Sequence, residues 1–396
     1  MISLQPYEWI DDSPWNTLLE DRLKRLSVYR KQGFLTAVYL SENRDLQSTF
    51  RYRAYNMVQA LYGSKKWKGV YFYQEELEML EEHLTEIDCI ILVRYKWEWK
   101  LNVFLERAAQ KNISLIYDVD DYIFDIRALQ SLLKAQGNDN PSEGEYLFWH
   151  DWVSRIEHSA ELCDVCLTTN QYLADLLERI LHKKCYVLKN FFNYWQYEAS
   201  NHYYMQKKAR VKEDKDIVLG YFSGSNTHKS DLNLALNDLK GAFQVYPNLK
   251  MNIVGYMELD GYMEKLKERG RIRMLPFQNF IDLQKCMAEV DINLIPLVNS
   301  TFANSKSELK FFEAGIVGTI SCASPTYVYR ECIQDGINGY LCEEDQWFTT
   351  ISRLCEEGIE ESVVEAARQY SIENYAYFNQ VNKIEQVLDD VRGGSS

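Results

Sequence analysis

The sequence predicts an α/β protein with two doubly wound parallel-sheet domains that face each other across a cleft. Short apolar runs of strand length alternate with segments of helical periodicity, which is typical of parallel strands joined by crossover helices. The alternation occurs twice, on either side of a charged stretch at 198–215 that is poor in β-branched residues. A length of 396 residues is also sufficient for two domains of ordinary size.

Composition narrows the class of protein and its partners. A hydrophobic content of 46% and an aromatic content of 14% are typical of a well-packed soluble protein. The formal net charge of −14 argues against a general nucleic-acid binder. No apolar run is long enough to span a membrane, and the acidic, aromatic N-terminus is unlike a signal peptide. We therefore expect a cytoplasmic protein.

The number and spacing of the cysteines are also typical of a cytoplasmic protein. The chain has 9 of them, an odd number scattered along its length, which favours free thiols. Cys163 and Cys166 form a C-x-x-C motif, but no second pair exists and the two flank an apolar run. Buried thiols are the favoured interpretation over a metal or redox site.

Residues 1–33 are predicted as a lead-in to the first domain, with an amphipathic helix at 15–31. The apolar residues of one face are Leu18, Leu19, Leu23, Leu26 and Tyr29, and the basic residues of the other are Arg22, Lys24, Arg25, Arg30 and Lys31. Such a helix can lie on the inner face of an anionic membrane or pack on its own domain. The sequence leaves both open.

The first domain is predicted at 34–200. Its strands are predicted at 34–40, 70–72, 89–94, 115–119, 165–168 and 186–188. Its helices are predicted at 50–62, 75–85, 97–110, 151–161 and 172–181, with a mobile loop at 128–150. Ligands bind beyond the carboxyl ends of the strands in such sheets. The charged residues predicted at that edge are Arg51, Arg53, Arg94, Asp118, Asp120 and Asp121.

A linker at 201–216 leads to the second domain at 217–368. Its strands are predicted at 217–222, 250–254, 272–275, 290–296, 319–323 and 339–342. Its helices are predicted at 232–246, 263–269, 280–288 and 347–357, with a further helix after Ser307 that ends near Gly315 or Gly318. The last segment, 369–396, is predicted to be a helix that packs back toward the first domain and ends in a flexible tail.

The loop before that further helix is a candidate anion site. Lys306 precedes Ser307, the predicted helix N-cap, and Glu308 lies in the first turn. Backbone N–H groups and the helix dipole both favour a phosphate at such a terminus. Glu313 lies further along, where it can accept hydrogen bonds from two hydroxyls, as of a ribose. The alternative is an ordinary βα turn in which Lys310 pairs with Glu313.

A second loop follows the first strand of the second domain and carries small and basic residues. Gly224 allows the backbone to approach a phosphate closely, and Ser225 adds a donor. His228 and Lys229 can reach the same anion. The loop matches neither the dinucleotide nor the P-loop fingerprint. Together with the loop at Lys306, it predicts two loops that converge on one pyrophosphate.

Motifs in both halves resemble those of GT-B glycosyltransferases, specifically family 4 members that build bacterial surface polysaccharides. In the second domain these motifs are GYFSGSNTH from Gly220, DINLIPL from Asp291, KSELKFFEA from Lys306 and DGINGYL from Asp335. In the first domain they are STFRYRAYN from Ser48, YDVDD from Tyr117, TNQYL from Thr169 and KNF from Lys189. The resemblance covers about residues 35–390. It implies an acceptor domain at 34–200 and a nucleotide-sugar donor domain at 217–368.

The resemblance also implies roles for residues in the donor domain. Glu313 corresponds to the family glutamate that binds the ribose hydroxyls. Lys306, with the backbone from Ser307 to Leu309, corresponds to the pyrophosphate site, with Gly224 and Ser225 opposite. The chain departs from the family at Ser305, where a glutamate usually stands. Glu308 is the candidate to replace that glutamate.

The implied chemistry is sugar transfer with retention of anomeric configuration. In the usual proposal for family 4 the leaving phosphate takes the acceptor proton, so positioning and charge stabilisation dominate and Lys306 is central. Asp120 or Asp121 would orient the acceptor hydroxyl, or act as base if the enzyme inverts. GT-B enzymes normally need no bound metal or tightly bound cofactor. Asp118-x-Asp120 also resembles the metal-binding D-x-D of GT-A enzymes, and these aspartates could instead cap the next segment.

Several acceptors and functions stay open. Arg51, Arg53 and Arg94 are the predicted contacts to the acceptor, which would be a glycan, a lipid-linked glycan or a protein. Another GT-B reaction, such as epimerisation or hydrolysis of a sugar nucleotide, is a second enzymatic interpretation. A non-enzymatic interpretation is a degenerate domain that stabilises a partner glycosyltransferase subunit, and Ser305 favours it.

Overall fold

A computed structural model of the chain describes residues 5, 7, 13–42, 47–135, 137–209, 216–224, 231–255 and 257–394. In these residues the chain forms two six-stranded sheets, and every strand pairs with its neighbours in parallel. Helices cover the faces of both sheets. The strands are therefore apolar on both faces, as in β3 (Cys89–Val93), in which all five residues are buried.

The first sheet has the strand order β2-β1-β3-β4-β5-β6. Besides β3, its strands are β1 (Leu35–Ser41), β2 (Trp67–Tyr73), β4 (Ser114–Asp118), β5 (Val165–Thr168) and β6 (Cys185–Val187). Its helices are α1 (Leu19–Lys31), α2 (Gln47–Phe50), α3 (Asn56–Leu61), α4 (Leu77–Glu81), α5 (Trp99–Ala109), α6 (Leu129–Ala135), α7 (Glu143–Leu162) and α8 (Gln171–Leu181). A π-helix (Arg51–Tyr55) joins α2 to α3, and short 3₁₀ turns occur at Gln74–Glu76, Leu84–Glu86 and Ile126–Ala128.

The second sheet has the order β9-β8-β7-β10-β11-β12. Its strands are β7 (Ile217–Ser223), β8 (Leu249–Gly255), β9 (Ile272–Leu275), β10 (Ile292–Ile295), β11 (Ile320–Ala323) and β12 (Tyr340–Leu341). Its helices are α10 (Asn233–Val245), α11 (Gly261–Glu268), α12 (Phe280–Ala288), α13 (Thr301–Ser305), α14 (Leu309–Ile316), α15 (Tyr327–Cys332) and α16 (Trp347–Glu357). The strand order reverses between β7 and β10, which is where doubly wound sheets bind ligands.

The predicted loop at 128–150 is largely helical, so that prediction was wrong. It contains α6 and the first two turns of α7, which begins at Glu143 rather than at 151. The Ser142 hydroxyl accepts a hydrogen bond from the Glu145 N–H at 3.3 Å, and the Glu145 carboxylate accepts one from the Ser142 N–H at 2.8 Å. This capping box satisfies the free N–H groups of the first turn and starts the helix early.

The lead-in helix α1 packs on the first sheet. Arg22, predicted on its polar face, is instead buried, because its guanidinium pairs with the Glu76 carboxylate and donates to the Tyr71 carbonyl oxygen at 3.0 Å. It also lies over the Tyr73 ring, 5.1 Å from the centroid. No helix within the described ranges combines the length and the apolar character that a membrane span requires.

Two helical segments connect the domains. Residues 201–209, placed in the predicted linker, are the second half of α9 (Tyr194–Ala209), and 210–215 lie outside the described residues. After α17 (Glu361–Tyr375) and a 3₁₀ turn (Tyr377–Asn379), the chain ends in α18 (Val381–Gly394). This last helix contacts the first domain, where the Trp67 indole N–H donates to the Asp389 carboxylate at 2.8 Å.

Candidate functional site

The carboxyl edges of the two sheets meet and enclose the candidate site. After β5, the Asn170 side-chain amide donates to the carbonyl oxygens of Ser305 at 3.1 Å and Lys306 at 3.2 Å. After β6, the Asn190 amide donates to the Ser307 hydroxyl at 3.1 Å. The loop that carries Lys306 is therefore fixed from the first domain by two buried amides.

The loops predicted to bind pyrophosphate follow the two strands at which the order of the second sheet reverses. Gly224 comes directly after β7, and Lys306 lies in the connection after β10. Gly224 is exposed, and among the described residues no atom beyond its chain neighbours lies within 4 Å of where a Cβ would be. Ser225, His228 and Lys229 lie outside the described residues, so their predicted roles stay predictions.

The prediction that Ser307 caps a helix was wrong. The segment before it forms α13, which the sequence analysis treated as a loop although Ser300 caps it. Helix α14 begins at Leu309, with Glu308 at the N-cap position and no side-chain hydrogen bond to the cap. Ser307 lies one residue before the N-cap position, and its hydroxyl accepts a hydrogen bond from the Asn190 amide. The first turn of α14 is therefore left without a side-chain acceptor.

Two lysines, Lys306 and Lys310, lie at this edge. Within the described chain, neither the Lys306 nor the Lys310 ammonium forms an ion pair or a hydrogen bond. The predicted pairing of Lys310 with Glu313 is not formed, and the ammonium lies 5.5 Å from the centroid of the Tyr221 ring. Burial lowers the pKa of Lys310 to about 8, opposed by Asp231 and assisted by Lys306. Two cations without an ion-pair partner among the described residues are suited to binding a diphosphate.

Glu313 lies one turn after Lys310 and is buried. Its carboxylate oxygen Oε1 accepts hydrogen bonds from the Tyr52 hydroxyl and from the Gln196 side-chain amide, the latter at 3.0 Å. The Arg51 guanidinium lies 3.9 Å from the same oxygen. Arg51, predicted to contact the acceptor, is thus directed at the glutamate predicted to bind the donor.

Glu308, the predicted replacement for the missing sugar-contact glutamate, is 1% exposed. The Tyr375 hydroxyl donates to its Oε1 at 2.8 Å, and the Lys189 ammonium lies 3.1 Å from that oxygen. Burial acts to lower the pKa of Lys189, but Glu308 raises it overall. Its other oxygen, Oε2, is buried and has no hydrogen-bond partner among the described residues, and the predicted contact of Glu308 with the sugar stays a prediction.

Arg53, a predicted acceptor contact, has no exposed surface. Its guanidinium contacts the Asp118 carboxylate at 2.9 Å and donates to the Leu188 carbonyl oxygen at 2.6 Å. Burial raises the pKa of Asp118 to about 6, against the opposing effect of Arg53. The pair joins the π-helix to the ends of β4 and β6, which is a structural role, and the predicted contact of Arg53 with the acceptor stays a prediction.

Arg94, Asp120 and Asp121 form a second charged group at the edge of the first sheet. The Arg94 guanidinium pairs with Asp120 and lies 3.2 Å from the Asp121 carboxylate. Burial acts to lower the pKa of Arg94, but the two carboxylates raise it overall. The backbone of Arg94 has a φ of 45°, a left-handed conformation that is uncommon outside glycine and concentrates at functional sites. These side chains stay partly exposed.

The D-x-D interpretation finds no support in this arrangement. Asp118 and Asp120 each pair with a different arginine. Over the described ranges, no three His, Cys, Asp or Glu side chains are grouped so that they could hold a metal ion.

Sequence reasoning missed three residues of the site. Lys310 was treated only as a partner of Glu313, although a spacing of three residues places both on one helix face. Tyr52 and Gln196 reach Glu313 from 261 and 117 residues away along the chain. No local signal in the sequence reveals contacts over such distances.

Comparison with known proteins identifies the fold. No protein-family model matches the sequence, and a comparison with curated proteins gives no match either. The structure is similar to that of HepE from Anabaena in complex with UDP and glucose, with a TM-score of 0.58, 14% identity, and coverage of 90% of this chain and 100% of that chain.

Two further solved structures share the architecture. Sucrose-phosphate synthase from Thermosynechococcus elongatus has a TM-score of 0.56 and 12% identity, with coverage of 91% of this chain and 100% of that chain. The pneumococcal O-GlcNAc transferase GtfA, in complex with UDP and GlcNAc, has a TM-score of 0.50 and 15% identity, with coverage of 81% and 61%. The predicted fold class is confirmed: two Rossmann-like parallel-sheet domains in the GT-B arrangement.

Proposed function

We propose that the protein is a glycosyltransferase that moves a sugar from a nucleoside diphosphate sugar to a hydroxyl group of an acceptor. The observation that carries the proposal is a pair of lysines, Lys306 and Lys310, that form no ion pair with any residue the structure describes. Like Gly224, they follow the two strands at which the order of the second sheet reverses. A sheet of this kind binds phosphates beyond its carboxyl ends, and a diphosphate would neutralise both cations. HepE and GtfA were solved with UDP, which makes a uridine nucleotide the first donor to test.

In this proposal the bond between the sugar C1 and the diphosphate oxygen breaks, and a bond from C1 to the acceptor oxygen forms. Lys306 and Lys310 stabilise the negative charge that develops on the leaving diphosphate. The acceptor proton passes to that diphosphate if the configuration is retained. Asp120 and Asp121, fixed by Arg94, orient the acceptor hydroxyl. Glu313 accepts hydrogen bonds from the ribose.

We propose further that transfer retains the anomeric configuration, as in family 4, and that the acceptor belongs to a bacterial surface glycan. The acceptor would be a glycan, a lipid-linked glycan or a protein, modified in the cytoplasm or at the inner membrane face. The motif resemblance supports these details. The anomeric configuration of the product, read from its NMR coupling constants, tests the stereochemistry.

The first test is a donor panel. Thermal unfolding of the wild type is measured with UDP-, GDP-, dTDP-, ADP- and CMP-sugars, and we expect one nucleotide class to raise the midpoint by mass action. Lys306→Ala should abolish the shift, because it removes one of the two cations. Lys265→Ala, an exposed lysine of α11, is the matched control and should leave the shift unchanged. No shift with any nucleotide would contradict the proposal.

A second candidate is a partner subunit that stabilises another glycosyltransferase without catalysis. Two observations favour it: Glu308 and Glu313 are both engaged within the chain, and a groove of about 810 Å³ presents exposed aromatic side chains. Those that line it and are exposed are Tyr62, Tyr194, Trp195 and Phe378. Exposed aromatic patches commonly mark interaction surfaces. A donor panel without any shift would make this candidate the leading one.

A further inference from the structure

Every contact that the first domain makes with Glu313 uses one carboxylate oxygen. The Tyr52 hydroxyl, the Gln196 amide and the Arg51 guanidinium all meet Oε1. In the part of the chain that the structure describes, Oε2 accepts no hydrogen bond, and it is not among the buried polar atoms without a partner. Oε2 therefore keeps contact with solvent. The hydrogen bonds from the first domain thus occupy Oε1 of Glu313, and Oε2 is available to a ligand.

The tyrosine that saturates Oε1 is held rigidly. Tyr52 belongs to the π-helix, whose five residues are all buried. Arg53 of the same turn is anchored to Asp118, and the Arg51 guanidinium lies over the rings of Tyr52 at 4.1 Å and Phe280 at 4.7 Å. Burial raises the pKa of the Tyr52 hydroxyl, so it stays protonated and donates its proton to the carboxylate oxygen. Single-turn π-helices are frequent at functional sites.

Both polar atoms of the Gln196 side-chain amide form hydrogen bonds within the chain. Its amide nitrogen donates to Glu313, while its oxygen accepts a hydrogen bond from Arg51 at 2.9 Å. Its backbone N–H donates to the Asn193 side chain at 2.8 Å. Because Gln196 lies in α9, before the second sheet begins, both hydrogen bonds to Glu313 come from outside the donor domain.

We propose that Tyr52 and Gln196 are positioning residues for the nucleotide. They saturate Oε1 of Glu313 and so direct Oε2 toward the ribose hydroxyls of the donor. The ribose site is then complete only while the two domains are closed on each other. This inference rests on the proposed function, in which Glu313 binds the ribose. It adds that the acceptor domain supplies the residues that orient that glutamate.

The test compares binding of UDP and 2′,3′-dideoxy-UDP, or of the nucleotide that the donor panel selects and its dideoxy analogue. Wild type should prefer the ribonucleotide, because only it can donate to Oε2. Tyr52→Phe removes one hydrogen bond to Oε1, and we expect the preference to fall about threefold to tenfold. The dideoxy analogue should bind the variant as it binds wild type.

Gln196→Met is the second variant, and Tyr55→Phe, another tyrosine of the π-helix, is the matched control. Thermal unfolding without nucleotide checks that each variant is folded. An undiminished ribose preference in both Tyr52→Phe and Gln196→Met would overturn the inference. So would tighter ribonucleotide binding, since it would mean that Tyr52 competes with the nucleotide. A wild type that binds no nucleotide would instead contradict the proposed function, and the inference with it.

Discussion

Replacing Lys310 with methionine is expected to weaken binding of the nucleoside diphosphate by about 10- to 100-fold, the range for losing a hydrogen bond to a charged group. The folded protein should be no less stable at neutral pH, because the variant keeps the apolar stem of a lysine whose ammonium is unfavourably buried. Isothermal titration of the nucleotide measures the affinity, and urea unfolding measures the stability.

The pH dependence of binding provides a second readout for the same lysine. Its lowered pKa of about 8 means that the ammonium loses its proton as the pH rises above that value, so wild-type affinity for the nucleotide should fall above about pH 8. The stability of the protein without ligand should change with pH in the opposite direction. The unfolded chain holds the Lys310 proton more firmly than the folded chain, so the free energy of unfolding should rise between about pH 8 and about pH 10.5.

The Lys310→Arg variant should bind the nucleotide with little pH dependence. Unchanged affinity in Lys310→Met would exclude a role in phosphate binding.

Replacing Arg53 with methionine is expected to lower the free energy of unfolding by about 3–5 kcal/mol, the usual effect of removing one member of a buried ion pair. The reason is that Asp118, which has no exposed surface, would lose its only close cationic partner among the described residues. Urea unfolding followed by tryptophan fluorescence measures the change.

The double variant Arg53→Met, Asp118→Asn should recover part of this loss, because it removes the buried charge as well as its partner. Lys100→Ala breaks an ion pair between largely exposed side chains, with Glu78, and should leave stability essentially unchanged. If Arg53→Met behaved like Lys100→Ala, Arg53 would not have the structural role that we assign, and its predicted contact with the acceptor would have to be reconsidered.

Elements with strong local patterns could be predicted from the sequence. The structure has β9, α12 and α16 at the predicted bounds, because each has clear periodicity or a flanking cap. The capping box at Ser142 and the cap of α13 at Ser300 can also be recognised in the sequence, but the predicted loops at these positions leave them out. Those errors come from giving composition more weight than capping chemistry.

The environment of each candidate residue could not be predicted in the same way. Glu308 and Glu313 belong to the same short motif, yet one contacts Lys189 and Tyr375 while the other contacts Tyr52 and Gln196. Distant segments of the chain determine which oxygen of which glutamate stays available. The sequence pattern identified where the site lies, and the tertiary contacts determine which residues can act there.

The most direct test of the account is a crystal structure of the protein with the nucleoside diphosphate that the donor panel selects. We expect the diphosphate to lie between the backbone at Gly224 and the ammonium groups of Lys306 and Lys310, with the ribose hydroxyls on Oε2 of Glu313. A nucleotide bound elsewhere, or a ribose that leaves Glu313 without contact, would contradict it.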